Sequence, residues 1–106
     1  LKEYCDLETL IDAAKEWVTP ALEKKKIQFN KKIGVSRPVI LANRIKLEQV
    51  LINLFKNSID ALDSQNKGEG IISVEVEQTE GHRLYIHIKD NGPGIPQEHF
   101  SDLFKP

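Results

Sequence analysis

A line of amide and carboxylate side chains is the first feature of this sequence that could do chemistry. Gln49, Asn53, Asn57 and Asp60 recur every three or four residues, so in a helix of about 3.6 residues per turn they lie one above another. Residues 46–62 contain no Pro or Gly and are otherwise largely apolar, which predicts one long, mostly buried helix. Buried amides without partners are costly. The line therefore meets other polar groups of the protein, or a ligand, a metal ion or water.

The Asn pair in this line fits a magnesium–phosphate site. Asn57, and Asn53 one turn earlier, can present amide oxygens to a hard cation that phosphates also hold. A neutral amide coordinates the metal without adding negative charge beside a triphosphate. Lys56 could add a cation near the phosphates. Hydrogen bonding within the core is the alternative interpretation of the Asn pair, and it stays open at this point.

The segment DNGPGIP, residues 90–96, is the second candidate feature. The carboxylate of Asp90 can accept a hydrogen bond from the exocyclic amine of adenine. Gly92 and Gly94 let the backbone pass close to a flat base. The alternative interpretation of Asp90, a residue that caps a loop, also stays open.

The first part of the chain predicts a helix and two strands. Asp6 is the expected N-cap of a helix that starts at Leu7, is kinked or restarted at Pro20, and ends in a lysine run at residues 24–26. Strands are expected at residues 27–33 and 39–41, and Asn43 should cap the long helix. The buried face expected of the first helix comprises Leu7, Leu10, Ile11, Ala14, Trp17, Val18 and Leu22.

The second part predicts a hairpin and a short helix. After a polar loop at residues 63–70, two stretches alternate apolar and polar residues around a turn at Glu80 and Gly81. This pattern predicts two antiparallel strands with one face toward the helices. Residues 97–104 predict a short terminal helix that packs on the core. The inward residues expected of the hairpin are Ile72, Val74, Val76, Leu84, Ile86 and Ile88.

The composition is that of one globular domain with a modest core. The chain has 106 residues, 40% of them hydrophobic, and a net charge of -1, which does not favour nucleic acid or an anionic membrane as partner. Its single cysteine, Cys5, excludes an internal disulfide and suits a reducing compartment. No apolar run reaches the roughly 20 residues of a membrane span. We expect a cytoplasmic domain without membrane contact, in a parent protein that could itself be anchored in the inner membrane.

Three segments resemble the nucleotide-binding motifs of one family. NLFKNSIDAL, residues 53–62, resembles the N box of the histidine kinase ATPase domain. DNGPGIP resembles its G1 box, and Phe100 with LFKP, residues 103–106, resembles its F box. The resemblance covers almost the whole chain. DNGPGI at this distance after an N box is highly specific to the wider superfamily, which includes Hsp90, type II topoisomerases and the mismatch-repair ATPases.

The resemblance implies a Bergerat-type α/β sandwich, with helices on one face of a mixed sheet and ATP between the N-box helix and the G1 turn. It implies that Asn57 binds magnesium, that Asn53 lies by the phosphates, and that Asp90 binds the adenine amine. Ser58 stands where the family often has alanine, which is a mild departure. The implied ATP-binding residues are Asn53, Lys56, Asn57, Asp90, Gly92, Gly94 and Ile95.

The function implied by the resemblance is that of the catalytic domain of a two-component sensor histidine kinase. Such a domain transfers the γ-phosphate of ATP to a histidine on the dimerisation domain of the same homodimeric protein, and the phosphate then passes to a response regulator. In ATP-hydrolysing relatives, a glutamate one turn before the metal-binding Asn activates water. Here that position is Asn53, whose amide cannot take a proton. This favours transfer to another protein over hydrolysis.

Parts of the family pattern are not in this sequence. The lid, the G2 box and the last strand and helix that follow the F box are absent, as are the dimerisation helices. We therefore expect an incomplete domain that is inactive alone. His82, His87 and His99 lack the context of a phosphoacceptor and are interpreted as structural or surface residues. Two alternatives stay open: a serine kinase of the anti-sigma type, a mitochondrial-type protein kinase or another ATPase of this superfamily, and a non-catalytic module that binds partners.

Overall fold

The computed structural model describes residues 1–63, 70–79, 83–91 and 98–103, the last range and residue 63 by their backbone alone. A sheet of four strands has the order β2-β4-β5-β6, and β1 pairs with β3 in a separate ribbon. β2 and β4 are parallel and the other pairs are antiparallel. In this part of the chain, no helix is long and apolar enough to cross a membrane. The elements are β1 (Glu3–Asp6), α1 (Leu7–Lys24), β2 (Gln28–Ile33), β3 (Val39–Ala42), α2 (Arg44–Asp63), β4 (Ile71–Thr79), β5 (Arg83–Asp90) and β6 (Glu98–Leu103).

The core lies between the two helices and the inward face of the sheet. All six inward residues predicted for β4 and β5 are buried, because strict alternation places every second side chain on the helix side. Phe29 of β2 and Phe55 of α2 meet edge to face, with ring centroids 5.2 Å apart and planes at 81°. This α/β sandwich, with helices on one face of a mixed sheet, confirms the predicted fold class.

α1 begins as the sequence predicts, because the side chain of Asp6 accepts a hydrogen bond of 3.0 Å from the backbone nitrogen of Thr9. The prediction for Trp17 is wrong: its side chain is 69% exposed, whereas the other six residues of the expected face are buried. Trp17 lies at the margin of the buried stripe, where its Nε1 donates to Glu48 of α2 at 3.2 Å. α1 also runs through Pro20 without a restart, since packing on both sides of the proline sustains the helix.

The β1–β3 ribbon was only half predicted, because nothing in residues 3–6 signals a strand. β1 places Cys5 opposite Ile40 of β3. Both residues are fully buried, and the Cys5 sulfur lies 3.7 Å from the carbonyl oxygen of Ala42. The ribbon thus closes one end of the core, and Cys5 packs there as a small apolar residue.

Residues 98–103 form strand β6, so the helix predicted at residues 97–104 is wrong. The backbone of β6 pairs antiparallel with β5, from Leu103 opposite Leu84 to Glu98 opposite Lys89. A sheet edge presents N–H and C=O groups that another strand can satisfy. A helix of this length has little stability of its own, so pairing with the sheet determines the local structure.

Candidate functional site

α2 carries the predicted line of polar residues and begins where the sequence indicates. Asn43 caps it: the side-chain oxygen accepts from the backbone nitrogen of Lys46 at 3.0 Å, and its carbonyl oxygen accepts from Leu47 at 3.0 Å. The helix spans Arg44–Asp63, slightly more than the predicted residues 46–62. This cap sets where the helix begins.

The expectation that α2 is mostly buried is wrong, because the helix is amphipathic. Its apolar residues include Ile45, which is 71% exposed, and Val50, which is 46% exposed. The side chains of Asn53 and Asn57 are exposed, so they are not hydrogen-bonding groups of the core. The line Gln49, Asn53, Asn57 and Asp60 lies on the outward side of α2, together with Lys46 and Lys56.

Two contacts place the last turns of α2 over the sheet. Phe55 meets Phe29 of β2. Two turns later, Leu62 lies so close to Gly70 that a Cβ added to the glycine would stand 3.0 Å from the leucine Cδ1. A larger residue at position 70 would require the Leu62 side chain to shift by a few tenths of an ångström. Glycine therefore lets the C-terminal half of the helix pack closely on the start of β4.

The last turns of α2 cover a row of paired residues that crosses three strands of the sheet, and Asp90 is the last residue of this row. Phe29 pairs with Ile72 across β2 and β4, and Ile72 pairs with Asp90 across β4 and β5. Asp90 is on the inward face of β5 and is 5% exposed. A carboxylate is seldom buried so fully unless polar groups surround it. Asp90 is thus a buried acceptor at the edge of the α2 interface, directly before the DNG turn.

Asn91 is a site residue that the sequence reasoning missed. Its backbone nitrogen donates to the carbonyl oxygen of Ile71 at 3.1 Å, and its side-chain oxygen accepts from the backbone nitrogen of Ile71 at 2.6 Å. This pair closes the end of the β4–β5 ladder one residue after Asp90. The available signal was the Asn-Gly pair, since Asn side chains at strand ends often bond to nearby backbone.

Two of the predicted site residues within the described part of the chain line one groove. Asn53 and Lys56 line an open groove of about 560 Å³ between the two helices, whereas Asn57 and Asp90 do not. Gly92, Gly94 and Ile95 lie outside the described residues. The groove is on the α1 side of α2, and its other lining residues are Trp17, Arg44, Ile45, Glu48, Gln49 and Ile52.

Of the three histidines, only His87 has a side chain within the described part of the structure. His87 lies on the outer face of β5 with 15% of its side chain exposed, and its Nε2 is 2.7 Å from Glu77 Oε1. Its side chain is therefore on the opposite face of the sheet from α2. His82 lies outside the described residues, and His99 belongs to β6.

Comparison with known proteins identifies the family of this chain. Residues 42–106 match the model of the histidine kinase-, DNA gyrase B- and HSP90-like ATPase family, and this segment includes every candidate residue. The hybrid signal transduction histidine kinase C of Dictyostelium discoideum is 40% identical over 90 residues, which are 82% of this chain and 7% of that protein. The sensor histidine kinase ZraS of Escherichia coli K12 is 32% identical over 101 residues, 95% of this chain and 21% of that protein. The chain thus spans only a small part of these relatives.

Solved structures show the same fold. The catalytic domain of histidine kinase ThkA superposes with a TM-score of 0.78 at 25% identity, over 92% of this chain and 63% of that one. ThkA in complex with the response regulator TrrA gives 0.75 at 27% identity, over 91% and 27% of the two chains. The fold and the motifs define an ATPase-type catalytic domain. This chain belongs to the histidine kinase-, DNA gyrase B- and HSP90-like ATPase family, and the relatives and solved structures compared above are histidine kinases.

Proposed function

We propose that this chain binds ATP and magnesium between the outward face of α2 and the end of β5. We also propose that, in its full-length homodimeric protein, it supplies the γ-phosphate to a histidine of the dimerisation domain, from which a response regulator receives it. The observation that carries the proposal is that α2, which bears the exposed amides, packs through Phe55 on the row of the sheet that ends in buried Asp90. Membership of the family and the likeness to ThkA support it.

The phosphate end of the nucleotide is assigned to the outward side of α2. Asn57 would coordinate magnesium through its amide oxygen, and Asn53 and Lys56 would lie beside the phosphates. These side chains are exposed, so they can turn toward a ligand without breaking contacts of the core. A magnesium ion held by Asn57 would supply positive charge that offsets the charge of the phosphates during transfer.

The base end is assigned to Asp90. Its carboxylate would accept a hydrogen bond from the exocyclic amine of adenine, and burial strengthens such a bond because little water screens it. Gly92 and Gly94 would leave room for the base and Ile95 would cover it. Asn91 would hold the chain in place beside them through its two hydrogen bonds to Ile71.

The reaction proposed is transfer rather than hydrolysis. Asn53 occupies the helix turn before Asn57, and its amide cannot act as a general base. An imidazole acceptor needs no such base, so the domain contributes mainly position and charge. We place the domain in the cytoplasm, where ATP is available and a single thiol such as Cys5 stays reduced.

Titration calorimetry with ATP and magnesium tests the site. The chain should bind ATP, and Asn57→Ala and Asp90→Ala should each weaken binding by about tenfold or more, since each removes an interaction with a charged or buried group. Asn30→Ala is the matched control, because it removes the same amide from an exposed position on β2. Removing magnesium with a chelator should weaken binding by the chain more than binding by Asn57→Ala.

Two results would contradict the proposal. One is absence of ATP binding by the chain, and the other is binding that neither variant changes. Transfer is tested by adding a histidine-bearing dimerisation domain in trans and following labelled γ-phosphate. ATP binding without any transfer would favour the partner-binding module, and transfer to serine would favour the serine-kinase alternative.

A further inference from the structure

Trp17 and Ile45 are two large apolar side chains that the fold leaves in water. Trp17 is 69% exposed and Ile45 is 71% exposed, and both line the open groove between α1 and α2. Single exposed apolar residues are common on protein surfaces. Two of them beside one groove, one being an indole, are instead typical of a surface that another protein covers.

The side chains at this end of the groove are already held in place. The indole Nε1 of Trp17 donates to Glu48 at 3.2 Å, and Arg44 Nε lies 3.4 Å from Glu3 Oε1. Both charged residues that line this end therefore have partners within the chain. A side chain that is fixed before binding loses little conformational entropy when a partner covers it, so the indole is ready to act as an apolar contact.

The spacing of the apolar groove residues fits a helix. Ile45 and Ile52 are seven residues apart, so they lie on one side of α2 at a distance of about 10 Å along its axis. A helix that docks in a groove presents anchors at i, i+3 or i+4, and i+7, which cover the same distance. The groove between two packed helices is also a place where the side chains of a third helix can fit. An amphipathic helix is therefore the occupant that this surface favours.

The groove continues the proposed nucleotide site. Asn53 and Lys56, which the proposed function assigns to the phosphates, are themselves lining residues of the groove. Asp90 lies at the end of the row that the last turns of α2 cover, whereas the groove extends toward the start of the helix. A nucleotide with its base at Asp90 would thus have its phosphate end at the groove, and the group that accepts the γ-phosphate would approach there.

We propose that the groove between α1 and α2 is the docking surface for the helix that carries the phosphoacceptor histidine. Its imidazole would lie near Asn53, and its apolar residues would contact Trp17 and Ile45. Asn53 and Ile45 are eight residues apart, about 12 Å along α2. The acceptor helix should therefore carry an apolar residue seven positions from the histidine, on the same side. The proposal rests on the proposed function and assigns partner recognition to residues that do not touch ATP.

Docking can be measured without any transfer. The chain contains one tryptophan, so fluorotryptophan labels position 17 alone, and fluorine NMR follows it. The probe is the dimerisation domain of the full-length protein with its histidine replaced by alanine. Adding this domain should shift the Trp17 resonance in a saturable way. Ile45→Ala should weaken the association by about tenfold, the effect of removing a central interface contact.

Transfer kinetics test the same surface with the unmodified dimerisation domain. Trp17→Ala and Ile45→Ala should each raise the KM for this domain by about tenfold, while kcat and ATP binding stay those of the parent chain, because binding but not chemistry is changed. Tyr4→Ala and Val50→Ala are the matched controls, since they remove an exposed aromatic and an exposed aliphatic residue that do not line the groove. Replacing the apolar residue seven positions from the acceptor histidine should not add to the effect of Ile45→Ala, because both changes remove one contact.

The outcomes separate this inference from the function on which it rests. If the chain binds ATP and transfers phosphate, but both groove variants behave like the controls, the proposed function stands and the docking surface is overturned. If the Trp17 resonance shifts with the concentration of the chain alone, a second copy covers the groove and the inference is likewise overturned. If the dimerisation domain shifts the resonance but the chain binds no ATP, docking stands and the proposed function falls.

Discussion

The side-chain oxygen of Asn91 lies 2.6 Å from the backbone nitrogen of Ile71, and the backbone nitrogen of Asn91 donates back to the carbonyl oxygen of Ile71 at 3.1 Å. The first residue after β5 and the first residue of β4 are thereby joined by two hydrogen bonds. Ile72, the next residue of β4, is opposite Asp90. The position of the proposed base-binding carboxylate is therefore coupled to the hydrogen-bonded pair of Asn91 and Ile71.

Asn91→Ala should weaken ATP binding severalfold while leaving the chain folded. The variant loses one hydrogen bond, which contributes about 0.5 to 1.5 kcal/mol, and the low end applies because the bond is exposed to water. The larger effect should be on nucleotide binding, because the chain that leaves Asp90 is then held to Ile71 by one hydrogen bond instead of two. Calorimetry with ATP and chemical unfolding measure the two effects separately.

Asn91→Asp is the control for the structural part of that prediction. It keeps an oxygen that accepts from Ile71, so its free energy of unfolding should stay close to that of the parent chain. If Asn91→Ala binds ATP as tightly as the parent, the hydrogen-bonded pair does not position the site, and the coupling inferred here is wrong.

A second prediction concerns pH and the contact of α1 with β2. Lys31 Nζ lies 2.7 Å from Asp12 and 2.9 Å from Glu8. The hydrogen bond to Asp12 is the main cause that raises the pKa of Lys31 above 10.5; partial burial opposes the shift and Glu8 adds to it. The folded chain thus holds this proton more tightly than the unfolded chain. The stabilisation is complete below pH 10.5 and is lost as the pH rises through the raised pKa.

Lys31→Met should lower the free energy of unfolding at neutral pH by about 0.5 to 1 kcal/mol, the range for partly exposed ion pairs. The difference from the parent should shrink when denaturation is repeated above pH 10.5. Lys32→Met is the control, since Lys32 is 79% exposed and 3.6 Å from Glu75, and it should change little at either pH. A difference for Lys31→Met that grows at alkaline pH would contradict the sign of the shift.

The elements that the sequence predicted well are those with a local cause. Asp6 and Asn43 cap their helices through their own side chains, and the inward residues of β4 and β5 follow from alternation alone. The elements that the sequence did not predict, β1 and β6, depend on pairing with other strands. β6 forms because β5 has an edge to pair with, and β1 forms because Val39–Ala42 lies beside it. Neither partner can be read from the short segment itself.

The site shows the same division. The resemblance implied that the amides of α2 and Asp90 bind the nucleotide, which stays a prediction, and spacing alone could not tell which flank of α2 faces β5. That required the contact of Phe55 with Phe29 and of Leu62 with Gly70. Trp17 was predicted to be buried because its spacing fits the buried stripe of α1. The width of that stripe depends on how closely α2 packs against α1, which the spacing does not give.

A third prediction compares these two aromatic positions. Trp17→Ala should lower the free energy of unfolding by less than about 1 kcal/mol, because most of the side chain is already in water. Phe55→Leu should cost more, about 1 to 2 kcal/mol, since it removes a fully buried ring that meets Phe29. Chemical denaturation measures both, and a larger loss for Trp17→Ala would mean that Trp17 packs in the core after all.

The last prediction concerns hydrolysis. The chain with ATP and magnesium should release inorganic phosphate no faster than Asp90→Ala, because Asn53 cannot take a proton from water. The carboxylate on the same line of α2 is Asp60, two turns beyond Asn53 and about 10 Å along the helix axis. Release that depends on Asp90 and disappears in Asp60→Asn would show that Asp60 serves as the base. Release that persists in Asp60→Asn would show that neither residue decides between hydrolysis and transfer, and the argument from Asn53 would fail.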